Sequence, residues 1–290
     1  MRTNPLLRRR RRVAASALAA LALALAACGG EGGGTAADDR LGEDVTANQP
    51  GELAVQVVSE DRTRLFGTLT VPPAAAGASV PGVLLLPSAG PGDRNGTIEP
   101  DGTPSGLGRD LAAALNDAGL VTYRYDGRGS GESRLDDRSA LTVDALVADA
   151  RAALDLLAQR KETQGRELSV VGYEDGGLLA LRLAATDPRV KRVVLVSAPG
   201  RSLVDLQAAR LSARYGPESG EHLRSVVADL LATGALPALP DMRTELRAML
   251  PPERAALLAG LYAIDPVAEA ARVRVPTMIV VPAPAASYEA

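Results

Sequence analysis

Val170-Val171-Gly172-Tyr173-Glu174-Asp175-Gly176-Gly177 marks a change from one kind of local order to another. Before it, Glu167 to Gly172 is a short apolar run, the pattern of a buried strand. After it, Gly176 to Thr186 has the composition of a helix, ended by Asp187-Pro188. Glycines bracket Tyr173, Glu174 and Asp175 at the junction, so the chain turns tightly from strand into helix there.

The same alternation continues in both directions. Downstream, Val190 to Val196 reads as a strand, Leu203 to Ala263 as helical and Arg-rich, and Val275 to Val281 as a last strand. Upstream, Leu141 to Gln159 is a long amphipathic helix, Leu120 to Tyr125 a strand and Gly106 to Ala118 a helix. Val80 to Leu86, bounded by Pro and Gly, reads as a buried central strand. Leu53 to Val58 and Leu65 to Val71 read as two opening antiparallel strands. Strands alternating with helices predict an α/β fold, with a mostly parallel central sheet and helices on both faces. The material at about 201–263 is then a helical cap. No internal repeat is visible.

Three segments, in this order, resemble landmarks of the α/β-hydrolase superfamily, in particular bacterial serine esterases and prolyl-oligopeptidase-like peptidases. Leu86-Pro87-Ser88-Ala89-Gly90-Pro91-Gly92-Asp93-Arg94-Asn95-Gly96 resembles the loop after the third strand, whose backbone N–H groups support an oxyanion. The resemblance gives Ala89 and Gly90 that role. Tyr123-Arg124-Tyr125-Asp126-Gly127-Arg128-Gly129-Ser130-Gly131-Glu132-Ser133 resembles a strand-end turn whose role is mostly structural. The opening stretch resembles the nucleophile elbow, with Gly172 and Gly176 as the glycines that the strained turn needs. Ala263-Ile264-Asp265-Pro266-Val267 and the segment from Val273 to Val280 resemble the approach to the acid-bearing strand. The likeness spans about Leu53 to Pro282.

Against that pattern the chemistry is degenerate. Working members carry serine at the elbow's centre, activated by a histidine that a carboxylate orients. Here the centre is Glu174, no Asp follows Val275 to Val281, and the histidine's strand would lie beyond Ala290. The C-terminal part of the fold is thus expected to be missing, leaving an exposed sheet edge and poor solubility. The only histidine, His222, reads as an exposed residue of the cap. Relatives with Asp at the elbow form ester intermediates. Glu is one methylene longer, and a displacement of about 1 Å can cost ~100-fold. Buried, Glu174 would act as a general base. Asp175 would supply a backbone N–H to the oxyanion, but its carboxylate puts negative charge where an oxyanion must form. Ser88 has no base partner and reads as loop structure. The Gly127 to Gly131 turn is a weak phosphate cradle. The Arg residues between Arg201 and Arg254 read as solvated helix faces. No cofactor or metal site is expected, because neither His nor Cys accompanies the acids.

Composition and charge narrow the class further. Hydrophobic residues make up 46% and aromatics 2%, so Leu, Val and Ala must fill the core and platforms for stacking bases are scarce. Residues 1–27 hold Arg2 and Arg8 to Arg12 and no acid. The 32 basic residues less these six leave 26 against 35 acidic ones, a net of −9 that disfavours nucleic acid. The Arg cluster and the apolar Val13 to Ala27 read as an export signal, too short to span a bilayer comfortably. Leu25-Ala26-Ala27-Cys28-Gly29 resembles a bacterial lipobox, which makes Cys28 the lipidated residue. Residues 28–50 are then a flexible tether and 51–290 the folded domain. The expectation is an exported lipoprotein on the outer face of the bacterial cytoplasmic membrane. It would be inactive as a serine hydrolase and would bind a small molecule or an envelope protein. The alternative is an ester or peptide hydrolase, with a substitute constellation or as a truncated copy of an active relative.

Overall fold

The computed structural model describes residues 51–90, 92–96, 106–237 and 244–281. The stretches read as export signal and tether, Cys28 among them, and the segment after Val281 lie outside the described residues.

Among the described residues seven strands form one sheet, in the order β1-β2-β4-β3-β5-β6-β7. The strands are β1 (Glu52–Val58), β2 (Arg64–Thr70), β3 (Gly82–Leu86), β4 (Val121–Tyr125), β5 (Leu168–Tyr173), β6 (Val190–Val196) and β7 (Thr277–Val280). β1 and β2 run antiparallel and β2 joins β4 antiparallel; the other pairings are parallel. The helices are α1 (Leu107–Asp117), α2 (Val143–Gln159), α3 (Gly176–Thr186), α4 (Leu203–Tyr215), α5 (Pro217–Thr233), α6 (Thr244–Met249), α7 (Ala255–Tyr262) and α8 (Pro266–Arg272).

Strand periodicity sorts the core. Leu84, Leu86, Val170, Val193 and Leu195 face one side, where α2 and α3 cover them. Val83, Leu85, Val171 and Val194 face the other, against Leu111, Ala112 and Leu115 of α1. The helical cap has its own core, built from Leu211, Leu223, Val226, Val227 and Leu230 of α4 and α5. Along α7, Leu257 and Leu261 pack into the main core while Leu258 and Tyr262 pack into the cap, so this short helix joins the two.

Several boundaries shift from the sequence reading, two of them for clear local reasons. α2 starts at Val143, not Leu141, because the Thr142 side chain accepts the Ala145 N–H at 3.1 Å and caps the helix. β7 starts at Thr277, not Val275, since Pro276 has no N–H to give a ladder. β7 is one of the two edge strands among the described residues, and Ile279 on it is 68% exposed.

Candidate functional site at the strand ends

Register brings the three landmark segments together. Leu86 of β3 pairs with Gly172 of β5, and Tyr173 pairs with Val196 of β6, so these strands end at one level. The loop after β3 and the turn after β5 therefore meet. At the turn Glu174 has φ +50°, a left-handed conformation that costs a non-glycine residue about 1–2 kcal/mol. Its N–H donates to the Val196 carbonyl at 2.9 Å. The glycines are required by space. A Cβ on Gly172 would lie 2.4 Å from the Gly176 carbonyl oxygen, and one on Gly176 would lie 2.5 Å from that of Pro87.

The side chains then arrange themselves in a way the sequence did not reveal. Asp175 Oδ1 accepts the Ala89 N–H at 2.9 Å and the Ser88 hydroxyl at 2.6 Å. The Gly90 N–H donates to Ser88 Oγ at 3.2 Å. Both loop N–H groups expected to face an oxyanion are thus engaged inside the protein. Ser88 has a carboxylate partner after all. Arg254, in the short turn Pro252–Arg254 below the cap, donates to the Ala89 carbonyl. It was expected on a solvated face and instead lies half-buried, with Nε buried and without an acceptor among the described residues. Burial, and to a lesser degree the Arg138 charge, push its pKa down against the opposing charges of Asp175 and Glu253.

Glu174 is exposed, so the burial that a general-base role was expected to need is absent. Burial first, then the charge of Glu174 and a hydrogen bond to it, push the Tyr173 phenol up. His222 is exposed on α5.

The strand-end turn after β4 is held by ion pairs of Arg94 and Arg128. Asp126 accepts the Arg94 backbone N–H at 2.7 Å and its guanidinium at 2.9 Å, which ties this turn to the loop after β3. Arg94 also pairs with Glu132. Arg128 reaches inward and meets Asp149 of α2 through Nε at 2.8 Å and Nη2 at 2.6 Å, both side chains essentially inaccessible. Between the elbow and α1 lies a cavity of about 210 Å³. Leu85, Leu107, Leu111, Val171 and Val196 give it apolar walls, and Glu174, Asp93 and Arg94 also line it. Among the described residues no group of three or more His, Cys, Asp or Glu could hold a metal ion.

Residues 102–234 match the family model of the S33 serine aminopeptidases. Over 116 residues the chain is 32% identical to the uncharacterized protein PA2218 of Pseudomonas aeruginosa, a match covering 38% of this chain and 31% of that protein. The crystal structure of PA2218 superposes with a TM-score of 0.52 at 14% identity, covering 87% of this chain and 91% of that one. The Pyrococcus furiosus esterase Pf2001 superposes with a TM-score of 0.54 at 16% identity, covering 84% and 77% of the two chains. Acetyl xylan esterase 1 of Thermoanaerobacterium sp. does so at 0.51 and 14%, covering 94% and 90%. With the parallel sheet, the glycine-bracketed turn after β5 and these likenesses in hand, the chain has the α/β-hydrolase fold.

Proposed function

We propose that this chain is a lipid-anchored envelope protein that uses a hydrolase scaffold to bind a small molecule, without acyl transfer. The observation that carries the reading is the Asp175 carboxylate on the Ala89 N–H. An oxyanion hole works because its donors point at a vacant position where charge develops. A fixed carboxylate there opposes a second negative charge. Glu174 adds another carboxylate in place of a serine hydroxyl. What remains useful is the apolar cavity beside the turn, of a kind that small ligands fill. The test is turnover of short-chain nitrophenyl esters by the purified protein, beside Glu174→Ala. No turnover above background, from folded samples, supports binding.

One observation favours a second reading, a carboxylate-based ester or peptide hydrolase: the turn keeps the left-handed φ of +50° at Glu174. Turnover that disappears in Glu174→Ala would establish that reading and overturn the first.

The anchor rests on Cys28 and the segments around it. Its test is metabolic labelling with radioactive palmitate in a bacterial host: label on the protein, lost in Cys28→Ser, supports it, and equal label on both contradicts it.

A further inference from the structure

The cavity beside the turn has walls and charges that select one class of ligand. This inference rests on the binding reading above. Leu85, Leu107, Leu111, Val171 and Val196 offer an apolar wall to a space of about 210 Å³. A short alkyl chain fits such a space; a sugar or nucleotide would leave its hydroxyls facing leucine and valine.

The polar end decides the head group. Arg94 is the only basic residue among the described lining residues, and its guanidinium is already committed to Asp126 and Glu132. Two carboxylates, Glu174 and Asp93, also line the cavity. Glu174 is held at the rim by its backbone bond to Val196 and is met by the Tyr173 phenol, which gives a hydrogen bond but no charge. The cavity therefore has apolar walls and, at the turn, the exposed carboxylate of Glu174. A fatty acid would bring like charge to that end; an amine would bring the opposite one.

We infer that the cavity binds a small cationic amphiphile, a primary amine on an alkyl body of medium length, with the ammonium at Glu174 and the chain against Leu107 and Leu111. Charge complementarity at Glu174 sets the choice of head group, and burial of the alkyl chain supplies most of the affinity.

The experiment is calorimetric titration of the purified protein with octylamine, 1-octanol and octanoate. Octylamine should bind about fivefold tighter than octanol, the upper end for an exposed ion pair, and octanoate weakest. Glu174→Gln should remove the preference for amine while octanol binding stays. Leu107→Trp, which fills the cavity, should abolish binding of both. Equal affinity for amine and alcohol, or a preference for octanoate, overturns the cation inference and leaves the binding reading standing. Unchanged binding in Leu107→Trp places the ligand elsewhere and overturns the inference. Failure of all three ligands overturns the inference, and the ester assay then decides the binding reading.

Discussion

Asp175 Oδ1 lies 2.9 Å from the Ala89 nitrogen and 2.6 Å from Ser88 Oγ. One carboxylate oxygen thus fastens the loop after β3 to the turn that opens α3. The bonds are part-buried and charge-assisted, so their loss should cost about 1–3 kcal/mol. Asp175→Ala should lower stability by that amount in urea denaturation. Asp175→Asn, which keeps one acceptor oxygen, should cost less. Equal stability of all three proteins would show that the bond does not form.

Glu174 carries a left-handed backbone that glycine adopts freely. Glu174→Gly should therefore raise stability by about 0.5–1 kcal/mol, the backbone relief exceeding the extra unfolded-state entropy of glycine. A thermal melt checks this, and a lower Tm would mean that the Glu174 side chain stabilises the turn.

Arg128 and Asp149 pair deep between the turn after β4 and α2, with side-chain exposures of 1% and 0%. Removing one partner strands the other charge, a loss of about 3–5 kcal/mol in comparable buried pairs. Asp149→Ala should fall at the lower end, because Arg128 keeps Asp61. Urea denaturation of Asp149→Ala measures it.

Asp187 closes α3, and hydrogen bonds from Arg189, chiefly from its side chain, hold its pKa below its ordinary value of 3.8 despite partial burial. A carboxylate with a depressed folded pKa binds protons more readily in the unfolded chain. Its contribution is present above pH ~3.8 and lost as pH falls through the folded value. Asp187→Asn should cost about 1 kcal/mol at neutral pH and flatten the acid limb of stability against pH. An unchanged acid limb would contradict this.

Much of the fold was legible because its signals are local. Short continuous apolar runs place β3 to β6, and Gly172 and Gly176 mark a turn that tolerates no side chain at either position. The site's wiring was not local. Ser88 and Asp175 are 87 residues apart, and Arg254 and Ala89 are 165 apart. No periodicity reports such contacts. Arg254 was read as solvated because its neighbours are. It turns inward because Pro251 and Pro252 end the helical run and redirect the chain under the cap. The sequence places the Asp175 carboxylate near the expected oxyanion, but nothing in the order of residues shows that it accepts the Ala89 N–H and the Ser88 hydroxyl of the loop after β3.

The most direct test of the proposed inactivity is to place serine at the centre of the turn. Ester hydrolysis by Glu174→Ser should be measured beside Glu174→Ala, with folding of both confirmed by thermal melts. The serine variant should turn over nitrophenyl acetate no faster than the alanine variant, because Asp175 still holds the Ala89 N–H. Rapid turnover by Glu174→Ser alone would contradict it, and would mean that the scaffold keeps a working hydrolase centre.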